Sequence, residues 1–198
     1  MTTKTELSAA DILPLDVYGP LRAKRRTEMS VIKKNRRVSV GPDATFYFES
    51  FETMRHQVQE MLWIEKGGEE QIAGELEAYN PLIPNGSELV ATVMIEIDDP
   101  ARRAAVLAEL GGFEETITIA FGGVKTVFAI AEDDVDRTTA DGKASSVQFV
   151  HFPFTDADIT KFKDPAVQIS IGIDHPKYGH IAIVSGDVRQ ALSADFKT

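Results

Sequence analysis

Apolar residues recur at two spacings along this chain, and the switches between them mark its elements. Val38, Val40, Phe46 and Phe48 alternate on either side of Gly41-Pro42-Asp43-Ala44. That pattern predicts a hairpin with one buried face. From Phe51 the period lengthens. Phe51, Met54, Val58, Met61 and Leu62 share one side of a helix, and Glu52, His56, Glu60 and Trp63 share the other. Gly67-Gly68 ends that helix. Ile72, Leu76 and Tyr79 mark a second, shorter helix. It stops before Pro81, because the residue before a proline is pushed away from helical angles.

The later chain is mostly alternating. Leu89, Ala91, Val93, Ile95 and Ile97 face one way in a strand whose other face mixes Thr92, Glu96 and Asp98 with Val90 and Met94. Asp99-Pro100 is a helix start, with aspartate as cap and proline in the first turn. Ala104, Leu107 and Leu110 are expected to bury one side before Gly111-Gly112. Ile117, Ile119 and Phe121, then Val124, Thr126, Phe128 and Ile130, flank Gly122-Gly123 and predict a tight hairpin. Val147, Phe149 and His151 against Val150 and Phe152 predict a central strand with both faces covered. Thr155–Asp158 forms a capping box for a short helix. Val167, Ile169, Ile171 and Ile173 make a strand, Asp174–His180 a loop, and Ile181–Val184 another strand. A last helix from about Asp187 buries Val188, Ala191 and Leu192.

The N-terminal part is less regular. Residues 1–7 read as a frayed tail and Ser8–Asp11 as a capping box. Pro14 and Pro20 break the chain before a helix over Leu21–Lys34. Residues 132–143 carry almost no apolar side chain and read as a mobile loop. The expected fold is one α+β domain over 1–198. Its largely antiparallel sheet has six to eight strands, with helices packed mainly on one face and a helical segment at the N-terminus.

Composition narrows the function classes. The 43% hydrophobic and 26% charged content is that of an ordinary globular protein. No apolar run is long enough to cross a bilayer, and the N-terminus lacks a signal-peptide core. With no cysteine, thiolate chemistry and cysteine-held metal are excluded, and a cytoplasmic location is the expectation. The net charge of -10 is uneven. Residues 22–37 hold eight basic residues and one acid, a segment of +7 on a remainder of -17. Such a segment can meet nucleic acid or the protein's own acidic surface. The repulsive field of the whole chain favours the second, so duplex DNA binding is not expected.

No glycine loop stands between a strand and a helix's first turn, so a phosphate cradle is not predicted and no cofactor follows from the residues. Two constellations remain. Glu52, His56 and Glu60 lie at i, i+4 and i+8 on one helix face and could hold a divalent metal, or be a solvated face with ordinary charge pairs. Asp174, His175 and His180, with His151 from a neighbouring strand, could support acid–base or metal chemistry. The alternative is that His175 caps a turn before Pro176 and His151 is a packed strand residue. If there is chemistry, the Asp174–His180 loop is its expected place, since both its ends are held by strands.

The stretches RRVSVGPDATFYFES, QVQEMLWIE, AYNPLIP, LVATVMIEIDDPARR, SSVQFVHFPF and DHPKY resemble an uncharacterised bacterial family, domain of unknown function 3501. They follow the family's order from Asp11 to about Ile183. The resemblance brings no activity, cofactor or site residue. Relatives are often encoded beside rubrerythrin-like proteins and iron–sulfur oxidoreductases, which implies a redox partner protein. Three readings follow. The first is a non-catalytic accessory protein that docks through Arg22, Arg25, Arg26, Arg36, Arg37 and Tyr79. The second is a small enzyme using the histidines. The third is a nucleic-acid binder using Arg22–Arg37. A homodimer through the N-terminal helices is also expected, because their weak apolar stripes need a surface.

Overall fold

The computed structural model describes residues 4–132 and 143–197. Its strands divide between two antiparallel sheets. The first holds β1 (Arg37–Val40), β2 (Ala44–Phe48), β3 (Glu88–Ile95), β7 (Val147–Pro153) and β6 (Ile130–Ala131), in that order. The second holds β5 (Lys125–Phe128), β4 (Ile117–Phe121), β8 (Ile169–His175) and β9 (Tyr178–Ile183). Only Ala129 separates β5 from β6, so one strand runs from the second sheet into the first. The two inner faces share one core, in which Phe46, Phe48, Val93, Val150 and Phe152 meet Ile117, Ile119, Ile171 and Ile173.

The predicted hairpin is β1–β2, with Val38 opposite Phe46 and all four alternating residues buried. The Gly122-Gly123 hairpin differs by one residue. Phe121 stands opposite Lys125, so Val124 joins the two glycines in the connection. A shift of one residue turns every side chain to the other face. Val127 therefore enters the core, while Val124, Phe128 and Ile130 are 88%, 64% and 58% exposed. On the outer face of the second sheet the register aligns Phe128, Thr118, Gly172 and Ile181 in one row. The next row is Thr126, Ala120, Ser170 and Ile183.

Helices cover the other sheet. α2 (Phe51–Glu65) and α3 (Glu69–Tyr79) lie over the outer face of the first sheet, where Met54, Val58 and Leu62 join Val90, with Phe149 against them. Ser50 caps α2 through the backbone N–H of Thr53. The helix ends on Lys66 in the left-handed region, one residue before the predicted glycines. α4 (Pro100–Ala108) starts on the Asp99 carboxylate, which accepts from Arg102 N–H at 2.6 Å. Leu107 and Leu110 are buried, but Ala104 faces solvent. α5 (Asp156–Lys163) and α6 (Gly186–Ser193) enclose an aromatic cluster of Phe154, Phe162 and Phe196 with Phe121.

The N-terminal expectations need two corrections. Leu7 is packed rather than frayed, and residues 1–3 lie outside the described ones. Leu7 is 2% exposed, and its backbone exchanges two hydrogen bonds with the Asn80 amide at 2.7 and 3.0 Å. Pro20 does not break the chain, since α1 runs unbroken from Leu15 to Lys34. Pro20 is its sixth residue, so only one backbone bond near the start is lost. Of the predicted loop 132–143, residues 133–142 lie outside the described ones. No described helix is long and apolar enough to cross a membrane.

Candidate functional site

Asp174–His180 is not the loop that its composition predicts. β8 runs through His175 and β9 begins at Tyr178, leaving Pro176-Lys177 as a two-residue turn. Asp174 pairs with Gly179 across the hairpin and is exposed. The His175 ring accepts the Lys177 backbone N–H at 3.2 Å, which is the turn-capping role weighed from the sequence. His180 packs its ring edge against Tyr178, 4.6 Å between centroids. His151 lies on β7, in the other sheet. The histidine site therefore does not assemble, because strand pairing takes up the length that was read as free loop.

His151 has partners of its own. Its Nδ1 lies 3.1 Å from a Glu88 oxygen and its Nε2 3.4 Å from a Glu132 oxygen. The hydrogen bond to Glu88, against the opposing effect of burial, raises its pKa above the usual 6.5. His56 is shifted the other way, lowered chiefly by burial.

Glu52, His56 and Glu60 are not a solvated face either. α1 lies along them. Arg22 grips Glu60 with two bonds, Nε at 2.9 Å and Nη2 at 2.8 Å, and the Tyr18 hydroxyl donates to the same carboxylate at 2.6 Å. Both Glu60 oxygens are thus occupied, and Arg22 first among the causes holds its carboxyl below the usual range. Glu52 pairs with Arg55. Among the described residues, no group of three His, Asp or Glu is placed to hold a metal ion. The helices cross where a Cβ on Gly19 would come within 2.8 Å of the Trp63 ring, so the contact needs glycine.

The basic segment is divided by this packing. Arg22 is committed to Glu60, and Arg25 meets Glu28 at 3.5 Å. Arg26 is exposed, and Arg37 lies 5.0 Å from the centroid of the Tyr47 ring. Arg36 is a correction to the residues expected on the docking surface. It is 6% exposed, donates to the Phe48 and Glu49 carbonyls, and pairs with Asp195 at 2.5 Å. Tyr79 is half-buried against the second apolar cluster.

The two histidines give a pH prediction. A raised folded pKa gives His151 a stabilising contribution that is complete below 6.5 and is lost as pH rises through the folded value. A lowered one makes the His56 contribution complete above 6.5 and lost as pH falls through the folded value. His151→Gln should therefore flatten the alkaline side of a stability–pH curve, and His56→Gln the acid side. Urea unfolding at a series of pH values checks this, and the same slope change in both variants refutes it.

A site of different chemistry lies at the start of α1. Ile12, Leu13, Pro14, Leu15, Leu62, Ile72 and Leu76 wall a largely apolar cavity of about 680 Å³, with Glu69 also in its lining. α3 forms one wall, yet none of its residues is fully buried. It is held by Ile72, Leu76 and Tyr79 alone among its apolar side chains. No histidine lines this space. Its walls come from three ordinary apolar stretches far apart in sequence, so no local pattern announces it.

The chain matches the family described as protein of unknown function (DUF3501) over residues 6–196, and it belongs to that family. It is similar to a crystal structure described as a novel protein of unknown function from Burkholderia pseudomallei. The two are 37% identical with a TM-score of 0.89, over 96% of this chain and 99% of that one. No curated protein matches.

Proposed function

We propose that this DUF3501 protein is a non-catalytic binding or accessory protein, and that the apolar cavity between α3 and the start of α1 is its ligand site. The supporting observation is the cavity itself. About 680 Å³ falls within the range of small-molecule sites, and Glu69 is the one polar side chain in the lining. The single carboxylate in its lining, Glu69, suits a neutral or cationic ligand better than an anion. The loose hold on α3 supports a wall that moves to admit it. A cytoplasmic redox partner, implied by the family resemblance alone, completes the proposal as the protein this one serves.

The test is a fluorescence titration of the whole chain with N-phenyl-1-naphthylamine, a neutral apolar probe. Saturable one-to-one binding is expected, weakened about tenfold by Leu76→Gln or Ile72→Gln, consistent with roughly 1–3 kcal/mol for a polar group placed against apolar contacts. Phe128→Ser, on the far sheet, should leave binding unchanged. No saturable binding, or binding that both cavity variants leave intact, would overturn the proposal.

A further inference from the structure

The turn that leads into β3 sets an amide carbon beside a backbone nitrogen that is free to attack it. Asn85 precedes Gly86, and its side-chain Oδ1 accepts two hydrogen bonds from Ser87, one from the backbone N–H at 2.8 Å and one from the hydroxyl at 2.9 Å. A bond to the second residue on folds the asparagine side chain over the intervening Gly86 peptide. Among the described residues, none accepts a hydrogen bond from the Gly86 N–H. Gly86 has no side chain to obstruct the approach, and its φ of +94° is one that glycine adopts without strain. Asn85 and Ser87 are exposed, so water reaches both sides of the peptide. The chain holds three asparagines, and the other two are closed to the same route. Asn80 precedes Pro81, which has no N–H. Asn35 precedes Arg36, whose N–H is bonded to the Lys33 carbonyl at 3.1 Å.

We infer that Asn85 is a self-modification site, where the Gly86 nitrogen closes on the Asn85 side chain and expels ammonia. The nitrogen gives its proton to hydroxide, and its electron pair forms a bond to Cγ. The carbonyl electrons move to Oδ1, where the two Ser87 donors stabilise the charge, as donors aimed at a developing oxyanion do. Collapse breaks the bond from Cγ to Nδ2, which leaves as ammonia with a proton from water. Water then opens the cyclic succinimide at either carbonyl, leaving aspartate or a β-linked isoaspartate at this position. The site bears on the fold as well. The Gly86 carbonyl accepts the Lys197 N–H at 2.8 Å, and the Ser87 carbonyl accepts the Phe154 N–H at 2.9 Å. The turn thus anchors the chain end next to Phe196, which is buried against Phe154 and Phe162. An isoaspartate lengthens the backbone just before Gly86 and moves that carbonyl off its donor. The inference is independent of the ligand cavity.

Incubation of the whole chain in mildly alkaline buffer, followed by peptide mapping with mass spectrometry, tests the inference. The peptide holding Asn85 should convert to aspartate and isoaspartate forms at a rate that rises with pH, while those holding Asn35 and Asn80 stay unchanged. The folded chain should convert faster than the same chain in urea, because only the fold holds Oδ1 on Ser87. Ser87→Ala should slow the conversion about fivefold, the scale of one ordinary hydrogen bond lost from the transition state. Asn85→Gln should abolish it, since the longer side chain has to close a larger ring. Both side chains are exposed, so both variants should keep the wild-type circular dichroism. In the isoaspartate fraction the Lys197 amide should lose protection from exchange. No conversion in the folded chain would overturn the inference. So would a rate no greater than in urea, or an unchanged rate in Ser87→Ala, since the turn would then contribute nothing. A Lys197 amide still protected in the isoaspartate fraction would overturn the anchoring role.

Discussion

Arg36→Ala is expected to destabilise the protein by about 3–5 kcal/mol, the scale for removing one partner of a buried ion pair. The guanidinium ties three parts of the chain together. It donates to the Phe48 carbonyl at 2.9 Å, to the Glu49 carbonyl at 2.6 Å and to Asp195 at 2.5 Å. Removing it strands the Asp195 carboxylate, which is 6% exposed, in an apolar setting. Burial already pushes that carboxyl above the usual range despite the arginine, so the pair is held at a desolvation cost. The double variant Arg36→Met with Asp195→Leu should therefore recover much of the loss, because it leaves no unpaired charge. It should not recover all of it, since the two backbone carbonyls still lose their donor. Midpoints of urea unfolding at unchanged slope give both values. A loss below about 1 kcal/mol for Arg36→Ala would show an arginine no more consequential than a surface one.

What the sequence made legible and what it hid divide along one line. Features that depend on neighbours in the chain were readable. The alternation of Val38, Val40, Phe46 and Phe48 gives β1–β2, the Asp99-Pro100 cap gives α4, and Thr155–Asp158 gives α5. Features that depend on which strand lies beside which were not. Val124, Phe128 and Ile130 alternate as a buried face would, but a three-residue connection at Gly122–Val124 turns them outward. Arg36 sits in a basic run and reads as surface, yet its partner is 159 residues away. The polar face of α2 reads as solvated until α1 covers it. The candidate chemistry failed for the same reason. Histidines close in sequence suggest a site, but pairing in two separate sheets keeps His151 away from His175 and His180. Tyr178, between those last two, is not legible as a joint, because the partners of its hydroxyl lie on the β1–β2 turn.

Tyr178→Phe is the second large effect, an expected loss of about 2–4 kcal/mol from deleting one oxygen atom, since each buried polar group left unpaired costs roughly 1–3 kcal/mol. The hydroxyl accepts the backbone N–H of Asp43 at 2.8 Å and of Ala44 at 2.9 Å, and donates to the Val40 carbonyl at 2.8 Å. Those groups belong to the turn between β1 and β2 in the first sheet, whereas Tyr178 starts β9 at the edge of the second. The side chain thus joins the two sheets on the side opposite Ala129. The ring still fills its place in Tyr178→Phe, so packing is kept and the loss isolates the three hydrogen bonds. The turn packs closely against the second sheet, where a Cβ on Gly41 would come within 2.5 Å of the His180 ring. Gly41 also has φ +70°, where other residues are strained. Arg102 holds the same turn from outside, bonding both Asp43 oxygens at 2.9 and 2.6 Å, but it is half-exposed and its removal should cost less. Urea unfolding measures the energy, and amide exchange at Asp43 and Ala44 locates it. Both amides should lose protection in Tyr178→Phe. A loss under about 0.5 kcal/mol with both amides still protected would mean that the joint is held by packing alone.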